Sequence, residues 1–328
     1  MDRQTRRAWA RTFGKVQKRL GRMEYKCLVP GCNQKAINSH SQQKEGQLRA
    51  IARNGNVYAL ERNLYRALKG TEQRSSLLYL SLVGLKEASV FPGFCASHDT
   101  SLFAHIEKKD LSINDPEQAY CFLVRAMSYE YTQKRKMVLW MKMLIKEARA
   151  NSLPLFDKEY VELFTKGMEY FITNDAPFYF NEAFRTDIAP TEWLRWSWRT
   201  IPKTIGASCT CCFSPLQEEH ESYMLDHFGE PQPLVAFSLI PQSTETHIVL
   251  CWHYHHTHLV QALEARIHEN DSLEVFINDC AFAESEDTCI NPDLWEKTPE
   301  KERLIALNSM RHQEFRGPLK DKPRILRL

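Results

Sequence analysis

Apolar side chains recur every three to four positions at the start of the chain, at Trp9, Phe13, Val16 and Leu20. Arg3, Arg6, Arg7, Arg11, Lys15, Lys18, Arg19 and Arg22 fill the remaining surface at the same period. That pattern predicts an amphipathic helix over residues 2–23, closing near Gly21. Short runs then predict strands at Tyr25–Leu28, Lys35–Ser41 and Val57–Leu60, with a helical piece at Gln47–Ala52. Leu77–Val83 reads as an apolar stretch packing beneath this region. From Ala96 to about Lys108 a helix carries Leu102, Phe103 and Ile106 on one side. Asn114-Asp115-Pro116-Glu117 is a helix start with proline at the first helical position. This helix should run to about Lys134, with Phe122, Leu123, Val124, Met127 and Tyr131 in the core, and continue over Met137–Ala150 after a kink. Asp157–Ile172 is a further amphipathic helix. Strands are expected at Leu234–Ile240 and Thr246–Trp252, then helices at His258–His268, Leu273–Asn278 and Pro299–Arg311, and a basic, disordered tail from Arg316 to Leu328.

The pattern divides the chain into a front domain over 1–112, a helical region over 113–200 and a small α/β module over 201–328. The expected class is α+β. No apolar run approaches the ~20 residues needed to cross a bilayer, and the charged start lacks the apolar stretch of a signal peptide. The expected setting is the cytoplasm, where ten cysteines read as thiols or metal ligands. The formal charge of +2 conceals an asymmetry, because residues 1–75 carry 17 Lys and Arg against 5 Asp and Glu. A basic front on an acidic body suits a polyanionic partner such as nucleic acid, contacted by Arg3, Arg7, Arg11, Lys15, Lys18 and Arg22. It equally suits a basic helix packed on the acidic part of its own chain, or an acidic second half that docks a protein partner.

Cys27-Leu-Val-Pro-Gly-Cys32 places two thiols across a Pro-Gly turn, and Cys95-Ala-Ser-His98 supplies a second close pair about sixty residues later. Two pairs of Cys and His ligands are the pattern of a tetrahedral structural zinc site. A two-cysteine knuckle, a hairpin and a helix that brings the second pair form a treble clef. Cys209, Cys211 and Cys212, with Cys251, His253 and His255, are a second group of ligand types. Against a metal there stand adjacent thiols that cannot easily face one ion and a His tract that reads as a solvated strand edge. Trp193, Trp196 and Trp198 suit packing between domains better than stacking on bases.

Residues 25–108 resemble the HNH, or ββα-metal, nucleases of the treble-clef type, in which a cysteine knuckle leads to a strand bearing an acidic residue and a histidine. The resemblance makes Cys27, Cys32, Cys95 and His98 the zinc ligands, His40 the general base and Asp99 the helix ligand of a catalytic Mg²⁺ or Mn²⁺. Asn56 is the nearest match to the family's middle asparagine. Ser39 stands where the strand carboxylate is expected, and the fourth zinc ligand is a histidine. The segment is also similar to bacterial proteins that share its Ser-His and Phe-Cys-x-x-His-Asp pattern. The function implied is a metal-dependent endonuclease acting on DNA or RNA, as an antiviral-defence or toxin-type effector. The alternative is a non-catalytic zinc-binding subunit that holds nucleic acid or a protein.

Overall fold

The computed structural model describes residues 3–60, 80–153, 158–215, 227, 229–312 and 322–328. Helix α1 is Arg3–Leu20, and β1 is Asn38–His40. A helical segment over 44–51 leads to β2, Asn56–Leu60, and β3, Leu80–Gly84. Strand β4, Val90–Pro92, precedes the short helices α2, Ala96–Leu102, and α3, Ala104–Glu107. The long helix α4 is Pro116–Ala150, followed by α5, Lys158–Tyr170, α6, Ala176–Ala183, and α7, Pro190–Trp193. Strands β5, Leu194–Ile201, β6, Ala207–Phe213, β7, Val235–Pro241, and β8, Thr246–His253, come next. The chain then forms α8, Thr257–His268, α9, Asn270–Asp279, β9, Cys289–Ile290, α10, Pro292–Lys297, and α11, Glu300–His312. The class is α+β, and every strand pairing is antiparallel.

Seven strands form one sheet in the order β3-β2-β9-β6-β7-β8-β5, while β1 and β4 pair separately. This pairing does not follow the division at 112 and 200. Strands β2 and β3, expected in the front domain, extend the sheet of the last module through β9, with Tyr58 opposite Ile290. The Trp-rich segment is itself the edge strand β5, with Trp198 opposite Val249. Leu80–Gly84 therefore does not underlie the Cys/His site. Leu80 packs with the core beneath the sheet, and Val83 packs beside Leu48, Ile51, Val57, Ala88 and Cys289. Residues 77–79 of that stretch lie outside the described residues.

Strands β7 and β8 are buried at every position, because each face meets a different layer. Ala236, Ile240, Val249 and Cys251 face α4. Val235, Phe237, Leu239, Ile248, Leu250 and Trp252 face α8 to α11. Burial on both sides replaces the alternating pattern of a one-sided sheet with a continuous apolar run.

Helix α4 is the spine. Asp115 caps it, accepting N–H groups from Glu117 and Gln118 at 2.9 and 3.3 Å. Its 35 residues span about 52 Å at 1.5 Å each. It is continuous past residue 135, since Gln133-Lys134-Arg135-Lys136 are good helix formers and Lys134 pairs with Glu130 one turn back. Its first half is apolar around most of its girth. One side meets the sheet, and the other meets Phe91, Phe94, Phe103 and Ile106 beside the Cys/His site. Its second half receives α1. Trp9, Phe13 and Val16 pack on Leu144 and Ala148, and Phe13 stacks on Trp140 at 5.7 Å.

The end of the chain is docked. Ile325 and Leu326 are buried, and their N–H groups donate to Asn278 Oδ1 at 2.9 and 3.0 Å. The expectation of a disordered tail therefore fails for residues 322–328, because Asn278 satisfies that backbone. Residues 316–321 of the tail lie outside the described residues.

Candidate metal centre beside His40

Cys27 and Cys32 sit at either end of a tight turn. Cys32 N–H donates to Val29 O at 3.0 Å, and Gly31 adopts φ +77°, a region where a side chain is strained. Cys27 N–H donates to Gln34 O, and Leu28 N–H to Gly93 O, both at 2.9 Å. The second bond ties the knuckle to the segment that delivers Cys95. Cys95 is the N-cap of α2, and His98 lies in that helix's first turn.

The four ligand atoms of Cys27, Cys32, Cys95 and His98 all lie within 4.8 Å of one another. His98 Nδ1 is 3.3 Å from Cys27 Sγ and 3.4 Å from Cys95 Sγ. A tetrahedral ion with Zn–S of about 2.3 Å and Zn–N of about 2.0–2.1 Å would hold S and N about 3.5 Å apart. The distances and the donor set, three thiols and an imidazole, therefore fit one soft or borderline ion. Burial raises the Cys27 thiol to about 11. The His98 N–H at the start of α2 holds Cys95 below its usual value. A bound cation would supply the positive charge that keeps both as thiolates.

His40 lies on β1 opposite Val90. Its Nδ1 lies 3.1 Å from Ala88 O. The carbonyl can only accept, so Nδ1 carries the proton and Nε2 is left as the basic nitrogen. Burial holds His40 below the ordinary histidine value, the Ala88 carbonyl opposes this, Arg125 and Lys44 lower it further, and Asp99 raises it. Asp99 and Arg125 therefore each lie within electrostatic reach of His40. Asp99 follows the ligand His98 directly, and its Oδ1 is buried without a hydrogen-bond partner.

Ser39 is buried, and its Oγ accepts the Phe94 N–H at 3.3 Å. The hydroxyl pins β1 to the approach of Cys95. Asn56 opens β2 in the other sheet, and its Nδ2 donates to Asn54 O at 2.8 Å, closing its own turn. The structure does not show it joining His40 and Asp99. A lone arginine in the apolar run Ala119-Tyr-Cys-Phe-Leu-Val-Arg125-Ala-Met was the signal for Arg125, since a buried charge is rare without a partner. The link from Ser41 to Asp287, 246 residues away, had no signal in the sequence.

The second group of ligand types divides across the sheet. Cys209 and Cys211 face the lower core, whereas Cys212 and Cys251 face α4. Among the described residues no second Cys/His/Asp/Glu group comes within ion-binding distance. Alternation along β6 is the cause, since adjacent strand positions point to opposite faces. His253 is buried in an aromatic cluster, its ring stacked 5.9 Å from Trp193. Trp198 donates to His247 at 3.2 Å, and Trp196 donates to Ile113 O at 3.1 Å. These tryptophans anchor the edge strand.

Arg3, Arg7, Arg11, Lys15, Lys18 and Arg22 are all exposed, and Lys15 pairs with Glu147 of α4 at 2.7 Å. No helix among the described residues is long and apolar enough to cross a membrane. Comparison with protein-family models, with curated proteins and with solved structures gave no match to this chain.

Proposed function

We propose that this chain is a metal-dependent nuclease of HNH-like, treble-clef build. The observation that carries the reading is the placing of His40, with Nδ1 fixed by Ala88 O and Nε2 basic, within electrostatic reach of Asp99. The knuckle leads into β1, and β1 pairs with β4, which directly precedes α2. Zinc held by Cys27, Cys32, Cys95 and His98 would fix their relative positions. His40 Nε2 takes a proton from the attacking water, a task suited to a histidine that stays neutral near pH 7. Asp99 Oδ1 would be the oxygen ligand for Mg²⁺ or Mn²⁺, and the ion when bound would supply charge stabilisation at the phosphate. The exposed basic face of α1 supplies phosphate contacts for DNA or RNA. A setting in antiviral defence or toxin action follows from the resemblance.

One observation favours the non-catalytic alternative. Ser39 spends its hydroxyl on backbone, so the second ion would have only Asp99 from this motif. That subunit would hold nucleic acid through α1, or a protein through its acidic half. The deciding experiment is His40→Ala assayed on DNA and RNA with Mg²⁺ or Mn²⁺. We expect cleavage to fall by about 10²–10⁴-fold with zinc content unchanged. Loss of zinc in this variant would make His40 structural, and a wild-type protein that cleaves neither nucleic acid would end the nuclease reading.

A further inference from the structure

An aromatic stack at the edge of the main sheet runs from the core out into solvent. Trp193 closes α7, and its ring stacks on that of His253 at 5.9 Å and 30°. His253, the last residue of β8, stacks in turn on His255 at 4.9 Å and 24°. Tyr254 leans on both, 4.9 Å from His253 and 3.9 Å from His255. Trp193 and His253 are buried, whereas Tyr254 and His255 are exposed. The backbone holds the outer rings in place. The His255 N–H donates to His253 Nδ1 at 3.4 Å, and Thr257 Oγ1 donates to Tyr254 O at 2.7 Å. One end of the stack is thus anchored, and the other presents aromatic surface to water.

Arg195 reaches the same place from β5, the terminal strand of the sheet, where Leu194 lies opposite His253. Its side chain is exposed, and the guanidinium stands 5.7 Å from the Tyr254 ring centroid, inside cation–π range. Nη1 donates to Thr191 O and Leu194 O at 3.0 and 2.9 Å. Nε and Nη2 make no hydrogen bond among the described residues. Neither do the Tyr254 hydroxyl and the His255 ring nitrogens. The nearby carboxylate of Glu192 is turned away to accept the Ala189 N–H. A single exposed tyrosine is ordinary. Here two exposed rings on a fixed base share their surface with a cation that has donors to spare.

We propose that Tyr254 and His255 stack a base of single-stranded nucleic acid while Arg195 takes an adjacent phosphate. The identity of the polymer rests on the nucleic-acid reading above; the platform is separate in the chain from both α1 and the Cys/His quartet. Aromatic rings suit this partner because every base has a π-face, and the planar fork of arginine matches a phosphate. A duplex already covers its base faces by stacking them on each other, so the platform favours an unpaired strand. A bilayer fits poorly. The neighbouring Thr191, Glu192 and His258 are exposed and polar, and they give the rings no apolar surround with which to enter lipid.

The probe is a single-stranded oligonucleotide of about ten nucleotides, made once as DNA and once as RNA. One base is replaced by 5-iodouracil for photo-cross-linking to the full-length protein. We expect mass spectrometry to map the cross-link to Tyr254 or His255, and the tighter of the two strands names the sugar. Tyr254→Ala should weaken binding by about 5- to 150-fold, the equivalent of about 1–3 kcal/mol for one stacked base. Tyr254→Phe keeps the ring and should bind nearly as the wild type does. Arg195→Met should reduce the slope of log affinity against log salt by about 0.7, one phosphate contact on a single strand. A wild-type cross-link that maps only elsewhere would overturn the proposal, as would unchanged binding by Tyr254→Ala. A wild-type protein that binds neither oligonucleotide would leave the stack to some other partner and overturn it too. Stacking at Tyr254 in a protein that cleaves no nucleic acid with Mg²⁺ or Mn²⁺ would sustain the platform and end the nuclease reading. Cleavage of single strands with kcat/KM unchanged in Tyr254→Ala would end the platform and leave the nuclease reading standing.

Discussion

Acid should destabilise this protein through a buried histidine pair, His253 and His256. His253 and His256 are 2% and 7% exposed. Burial is the main cause that depresses each from the ordinary 6.5 to about 4, and neighbouring imidazoles add to it. Tyr179 Oη lies 3.1 Å from His256 Nδ1, within the same cluster. A histidine whose folded value is lowered stays neutral in the fold but protonates in the unfolded chain as pH falls below 6.5. Stability is therefore present above that value and is lost towards pH 4. For a shift of this size the loss between pH 7.5 and pH 5 is roughly 2 kcal/mol per histidine, or roughly 4 for the pair. That sum is an upper figure, because part of the His253 shift is repulsion from His256 and His255 lowers both. Asp175 opposes it. Its buried carboxyl is raised from 3.8 to about 6, so acidification relieves a charged group and returns roughly 1.5 kcal/mol over the same window. His40 and His247 are also lowered by burial and add to the loss. A net fall of a few kcal/mol is a large share of the 5–15 kcal/mol typical of native proteins. The assay is urea unfolding at pH 7.5 and pH 5.0 for the wild type and His256→Gln, which retains a side chain able to reach Tyr179. We expect the pH dependence to shrink by roughly 2 kcal/mol in the variant. An equal fall in both proteins would refute the assignment to this cluster.

Two further outcomes follow from the packing. Cys95→Ser should remove the bound metal, measured as zinc per chain by mass spectrometry, and should loosen Phe91, Phe94 and Phe103 where they meet α4; full retention of zinc would exclude Cys95 as a ligand. Phe13→Ala should cost about 3–5 kcal/mol as a large-to-small core change, because Phe13 is buried beside Trp9 and stacks on Trp140. Its zinc content should stay at the wild-type level, and a loss of zinc would mean that α1 supports the metal unit and not only the far half of α4.

The features legible in the sequence are those set by neighbours a few positions apart. Cys27 and Cys32 share one turn, and Cys95 and His98 share one turn of helix, so their pairing shows as spacing. Asp115 and Pro116 mark a helix start because capping is a local bond. Strands β7 and β8 announce themselves as apolar runs. What needed the tertiary structure was every decision taken across long separations. Strands β2 and β3 join the last sheet because β9, more than 200 residues later, offers an edge, and no local pattern records which edge a strand will meet. Cys211 and Cys212 look like one cluster in the sequence and lie on opposite faces of a sheet. Arg125 reads as a stray charge in a core helix. Only the fold brings it within electrostatic reach of His40, because burial and strand pairing bring distant segments together, whereas sequence spacing reports only neighbours along the chain.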